Sequence, residues 1–456
     1  MGTGGTTASG GTLASGGTQS GAGGATASGG TQSSSGGSTS SGGQSSSDGG
    51  ASSGGGGSDG LAYNPDFVEF YGEDCPVTEP ANVDIDTLPD LFEKLDGTRM
   101  TQKAEWRCRR AELKRVMEKY LYGTKPGAPD VVTGSVSATS ISVHVEHGGG
   151  SLDFDVGVSL PTGASGPVPI VIGLGGVSSF GGTANLAQTI KDEGVATGSY
   201  DHNGMAAEGT KSGLFDNVHP TGDISVQIAW AWGFSRIIDV LVMEKEAGRN
   251  DIIDPTGVAV TGCSRNGKGA FTIGAFDERI ALGLPQESGT AGVSAVRIVA
   301  TSPSGPNGQP AEPLNNGAVT QAGWFSPIFQ SMYRTNLSSI PGDTHSMVAM
   351  YAPRGLLVID NSRIGELCST CQHAASVAGG EVFKALGVEK NVAYHGGRPT
   401  DPQEHCGFYT EQVEPLQRAI RGHLTRTEAP DGRMEPQPAG TADLDEWIQW
   451  ETPTLE

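Results

Sequence analysis

The spacing of hydrophobic and polar positions changes along the chain. Over Ala104–Tyr122 (AEWRCRRAELKRVMEKYLY) apolar residues recur every three to four positions among charges, which predicts an amphipathic helix. Across 131–160 the period falls to two, as in SISVHVEHGGGSLDFDVGVSL, and predicts a hairpin turning at Gly148–Gly150. From Pro167 onward short apolar runs (PVPIVIGL, GVAVTG, IALGLP, GLLVIDN, NVAYH) alternate with helical stretches near 223–247, 266–277, 373–387 and 409–425. Buried-type strands alternating with helices predict an α/β fold with a mostly parallel sheet covered on both faces. The hairpin is expected as an N-terminal extension. In such sheets ligands collect at the carboxyl ends of the strands.

Residues 1–60 have no such pattern. They hold 23 of the chain's 71 glycines, no Lys, Arg or aromatic residue, and only Asp48 and Asp59 as charges. A segment of this composition buries too little apolar surface to offset its ordering entropy, so it is expected to be a disordered tether. A signal peptide or an upstream module is expected before it. The remaining 61–456 is expected to form one domain. It carries a net charge of −20, the total of −22 less the two aspartates. That acidic balance argues against nucleic acid or an anionic membrane as partner. No apolar run approaches the about 18 residues of a membrane span. Six cysteines are compatible with three disulfides in an oxidising compartment.

The run Gly257–Gly262 leads into Cys263-Ser264-Arg265-Asn266-Gly267-Lys268-Gly269 and then a helical stretch. A serine on a strand-to-helix corner is a nucleophile elbow, whose tight turn lifts Oγ clear of the sheet. Only half of the usual G-x-S-x-G is present: Gly262 precedes Ser264 by two, but Asn266 follows by two. The first N–H groups of the helix would stabilise an oxyanion, and Arg265 can add a cationic donor.

The stretch VTGCSRNGKGAF, followed by ERIALGLPQESG, resembles the glucuronoyl esterases (4-O-methyl-glucuronoyl methylesterases) of carbohydrate esterase family fifteen, in their fungal-type branch. LDGTRMTQKAEWRCRR, IAWAWGFSRIIDVL, HSMVAMYAPRGLLVIDN and WIQWETPTL extend the resemblance in order over nearly all of 61–456. The resemblance implies an α/β-hydrolase fold and a secreted, monomeric serine esterase that needs neither cofactor nor metal. The substrate it implies is an ester between (4-O-methyl-)glucuronic acid of glucuronoxylan and a lignin alcohol. A related carbohydrate esterase with acetyl or feruloyl preference is one alternative; a catalytically silent carbohydrate-binding module is the other.

Of nine histidines, His405 stands in EHCGF after the last strand, where α/β hydrolases place their base, with His345 as its rival. In the resembling family a disulfide equivalent to Cys263–Cys406 joins nucleophile and base. Glu287 in PQESG follows the serine by 23 residues and gives the order Ser, Glu, His; acids one strand later, near Asp360 or Glu366, are the runners-up. Lys268 matches the family's sugar-binding lysine. Gln321 stands at an acidic sugar-binding position, and Gln309 is the candidate for the family's upstream glutamine. Cys75–Cys108 is expected to bridge. Cys368 and Cys371 are expected to pair or stay reduced, because the family's upstream partner cysteine reads here as Ala295.

Overall fold

In the computed structural model the apolar runs form one ten-stranded sheet. Residues 67–220, 222–301, 311–397 and 404–456 are described. The segment 1–60 and Gln309 lie outside them. The strands are β1 Val131–Val136, β2 Ser140–His147, β3 Gly150–Ser159, β4 Val168–Leu174, β5 Ala196–Tyr200, β6 Ile253–Cys263, β7 Leu282–Gln286, β8 Gly355–Ile359, β9 Val392–His395 and β10 Met434–Glu435. Their order is β1-β2-β3-β5-β4-β6-β7-β8-β9-β10. All pairs from β5 to β10 are parallel, whereas β1, β2 and β3 are antiparallel and β3 joins β5 antiparallel.

Two features differ from the expectation. The predicted hairpin is a three-stranded meander, continuous with the main sheet. Its second turn is at Gly148 and Gly149, both at positive φ. Its first has no glycine: Ser137 Oγ accepts the N–H groups of Thr139 and Ser140 at 3.3 and 2.9 Å. A hydroxyl that mimics a turn carbonyl is a weaker sequence signal than Gly-Gly. The strand β5 also goes unannounced, because its interior is Thr197-Gly198-Ser199. Gly198 leaves room for neighbours; an added Cβ would lie 3.0 Å from Ile172.

Period-two alternation sends neighbouring residues into two separate cores. Ile170, Ile172, Val258, Val260, Leu356 and Val358 pack into the larger one. The intervening Val171, Ala259, Leu357 and Ile359 pack into the smaller one with Leu186, Ile190, Leu416 and Ile420. Helices Val226–Glu246, Arg265–Phe276 and Ser369–Leu386 therefore cover one face, and Leu186–Asp192 and Thr410–His423 the other. The result is a three-layer αβα sandwich. Helix Val226–Glu246 is long and apolar enough to cross a membrane, with a mean hydropathy of 1.3, yet 83% of that window is buried inside the fold. It is the core helix behind the helix that follows Ser264.

The far end of that following helix is tied down by buried charge. Asp277 accepts from Ser235 Oγ at 2.6 Å and from Arg279 at 2.8 Å, and Arg279 also reaches Asp239 at 2.6 Å. Glu69 joins the cluster through Lys125 and Arg236. Burial pushes the Glu69 pKa up, but Lys125, Arg236 and Arg279 more than offset it and hold the carboxyl at about 2, below the ordinary 4.5. Removing one member of a buried ionic cluster leaves uncompensated charge, so Glu69→Ala should lower the unfolding free energy in denaturant titration by about 3–5 kcal/mol. A carboxylate with a depressed folded pKa stabilises fully above its unfolded value and loses that contribution as pH falls toward the folded one. The wild-type should therefore lose more stability than Glu69→Gln between pH 4.5 and about 2.

Candidate active site

Ser264 lies between the end of β6 and the helix Arg265–Phe276 with φ 58° and ψ −124°. This backbone strain is the signature of an elbow. Its N–H donates to Gln286 O at 2.9 Å, and its side chain does not cap the helix. The glycines of the turn are where backbone approaches backbone. An added Cβ at Gly262 would stand 2.4 Å from Asn266 O, and one at Gly267 2.4 Å from Gln286 O. The position two after the serine has no such constraint. Asn266 uses it to donate Nδ2 to Leu174 O at the end of β4, 2.7 Å away.

The next strand ends in Gln286-Glu287. Glu287 has φ 48°, is 1% exposed, and donates its N–H to Ile359 O at the tip of β8, 2.7 Å away. Its Oε2 accepts from His405 Nδ1 at 2.7 Å and from Cys406 N–H at 2.9 Å; its Oε1 accepts weakly from Asn361 Nδ2 at 3.4 Å. With Nδ1 engaged, the other nitrogen of the 45% exposed imidazole is free to face a ligand. Cys263 and Cys406 form a disulfide with Cα atoms 5.7 Å apart. Gln286 Nε2 adds a bond to Gly407 O at 2.9 Å. Cys263 Sγ, the Glu287 carboxylate, a His405 ring nitrogen and Cys406 Sγ all lie within 4.8 Å of one another. Because the two sulfurs are bonded to each other, this cluster offers one carboxylate and one imidazole beside Ser264. That is equipment for proton transfer.

A family model described as "Glucuronyl esterase, fungi" matches residues 143–387. A Neurospora crassa 4-O-methyl-glucuronoyl methylesterase is 35% identical over 382 residues, 81% of this chain and 90% of that protein. The glucuronoyl esterase catalytic domain of Hypocrea jecorina superposes with a TM-score of 0.71 at 32% identity, covering 84% of this chain and 99% of that one. A Sporotrichum thermophile glucuronoyl esterase mutant in complex with methyl 4-O-methyl-beta-D-glucopyranuronate gives 0.73 at 32% identity, covering 84% and 100%. The chain belongs to the fungal glucuronoyl esterase family. It is thus a carboxylic ester hydrolase of α/β-hydrolase fold.

The rival site residues of this esterase are elsewhere. His345 is fully buried, its Nε2 lies 2.9 Å from Pro89 O, and burial holds its pKa down at about 4. Asp360 is buried against Gln372 Nε2 and Tyr394 Oη, both at 2.6 Å, and burial pushes its carboxyl up to about 6. Glu366 is exposed in the turn Gly365–Leu367. Cys75 pairs with Cys108 and Cys368 with Cys371. Ala295 donates its N–H to Cys371 O at 3.3 Å.

In a groove whose lining includes Arg265 but no residue of His405's loop, charge gathers around Trp324. The 61% exposed Arg265 side chain is held by Glu208, Nη1 to Oε2 at 3.0 Å, and Glu208 Oε1 accepts the Trp324 indole N–H at 2.6 Å. Lys268 is 3% exposed; its ammonium bonds Ser288 O at 2.7 Å and Glu312 at 3.1 Å, and lies 4.5 Å from the centroid of the Trp324 ring. Burial lowers the Lys268 pKa, and Glu312 opposes this. Glu208, Arg265, Gln321 and Trp324 line an open groove of about 290 Å³. The sequence pattern assigns no role to Glu208 or Glu312. Trp324 is visible in TQAGWFSPIF, but the two carboxylates stand in loops with no periodic signal.

Replacing the acid should separate the candidates. Glu287→Ala should lower ester hydrolysis by about 10²–10⁴-fold, because His405 loses the partner that fixes its tautomer. Glu366→Ala should leave the rate within about twofold, since an exposed turn carboxylate has no share in that geometry.

Proposed function

We propose that this esterase cleaves esters between (4-O-methyl-)glucuronic acid of glucuronoxylan and lignin alcohols through a serine acyl-enzyme. The observation that carries the reading is the Glu287–His405 hydrogen bond at 2.7 Å, locked to the Ser264 elbow by Cys263–Cys406. Ser264 Oγ attacks the ester carbonyl and His405 Nε2 takes its proton. Glu287 holds the imidazole in the tautomer with a proton on Nδ1 and stabilises the imidazolium that forms. The oxyanion lies at the N-terminus of the helix that Arg265 opens, against backbone N–H groups and the remaining guanidinium donors. His405 then protonates the departing alcohol, and water hydrolyses the acyl-enzyme by the same steps in reverse roles.

The uronic acid ring is assigned to the side of Lys268, Gln321 and Trp324, with Gln309 a further contact from the segment outside the described residues. Gln321 offers a neutral amide to a sugar hydroxyl. Glu208, in the same groove, supplies a carboxylate acceptor. The three disulfides suit a secreted enzyme working as a monomer on plant cell walls.

Hydrolysis of benzyl glucuronate should exceed that of methyl galacturonate and of an aryl acetate, measured as kcat/KM. Ser264→Ala should lower the glucuronate rate by at least about 10⁴-fold with the fold intact by circular dichroism. Equal rates on all three esters would refute the glucuronoyl preference. Binding without turnover would instead favour a carbohydrate-binding role.

A further inference from the structure

We infer that Phe180 is a binding platform for the alcohol half of the ester and selects aromatic, benzylic leaving groups; the inference rests on the roles of Ser264, His405 and Glu287 proposed above. The direction of departure follows from the base. His405 Nδ1 is committed to Glu287, so the other nitrogen must deliver the proton, from within about 3 Å of the leaving oxygen. The alcohol therefore leaves alongside the loop that carries His405.

The segment 180–184 is laced onto that loop. Phe180 N–H donates to Cys406 O at 2.9 Å, and Thr183 and Ala184 N–H both donate to Phe408 O at 3.0 Å. Thr183 Oγ1 accepts the Thr410 N–H at 3.1 Å. Gly181 and Gly182 take φ 92° and 97°, and at Gly182 an added Cβ would stand 2.0 Å from Phe408 O. Only glycines allow this close approach in that conformation. The backbone of Phe180 is thus fixed one residue's breadth from the base, not carried on a free loop.

Its side chain is nevertheless 72% exposed. Among the described residues it is the only exposed Phe, Tyr or Trp. Phe180 also borders a cleft of about 30 Å³ with Gly262, Cys263 and Asn266, which sets it beside the elbow as well as the base. The two grooves that border the elbow thus differ in chemistry. Arg265, Glu208 and Gln321 line one, with Lys268 against its Trp324, and suit a polyhydroxylated acyl group. The Phe180 ring stands on the side of the base and suits an aryl group, stacking offset or edge to face.

The test compares benzyl and methyl esters of glucuronic acid, which share the acyl half. Phe180→Ala should lower kcat/KM for the benzyl ester by about 5–10-fold, the loss of one aromatic contact, and leave the methyl ester within about twofold. Phe180→Trp should restore the benzyl preference. A parallel fall on both esters, or an unchanged benzyl ester, would overturn the proposal. Inactivity of the wild-type enzyme on both esters is a different result: it would remove the esterase reading and this inference with it.

Discussion

The buried carboxylate of Glu287 is the constraint around which the site is arranged. At 1% exposure an ionised carboxyl is costly unless its lone pairs are filled, and here His405, Cys406 N–H and Asn361 fill them. These partners come from two segments, the residues that follow β8 and the 404–408 loop. The charge thereby dictates where the β8 tip and the 404–408 loop must sit relative to β7. The disulfide from Cys263 to Cys406 then carries the same constraint to the Ser264 elbow. One carboxylate and one covalent link, with the Gln286–Gly407 hydrogen bond beside them, hold these segments together.

The elbow shows how little of a motif is needed when the physical reason for it is met. Gly262 and Gly267 stand where a side chain would strike carbonyl oxygens at 2.4 Å, and neither position tolerates a Cβ. The usual second glycine is dispensable because Asn266 has room and gains a hydrogen bond to β4. Around this turn the chemistry divides. Charged groups surround Trp324 in one groove, and the exposed Phe180 borders another, its backbone bonded to the loop of His405. An ester with a sugar acid at one end and an aryl alcohol at the other matches that division.

Much of the fold is legible in the linear pattern. The alternation of helical stretches with apolar runs marks the main helices, and the runs themselves mark β4 and β6 to β9. What escapes has a physical reason in each case. The turn at Ser137 is closed by a hydroxyl, and β5 is made of small and polar residues that only their neighbours make into a strand. Of the site, Ser264 and His405 are legible through their local surroundings, the elbow and the paired cysteine. Glu208 and Glu312 are not, because nothing near them in sequence says that one meets the Trp324 indole N–H and the other the ammonium over its ring.

The sequence by itself determined the fold class, the elbow serine as the candidate nucleophile and the expected order of serine, acid and histidine. Those are properties of local pattern: periodicity, turn glycines, and a serine set between a strand and a helix. Only the tertiary structure decided which of Glu287, Asp360 and Glu366 faces His405 and that His345 is a buried structural group. Those choices depend on strand order and on burial, which bring residues more than a hundred positions apart to 2.7 Å or bury them in separate pockets. A hydrogen bond of that length is set by three-dimensional position, and position is what a linear pattern does not contain.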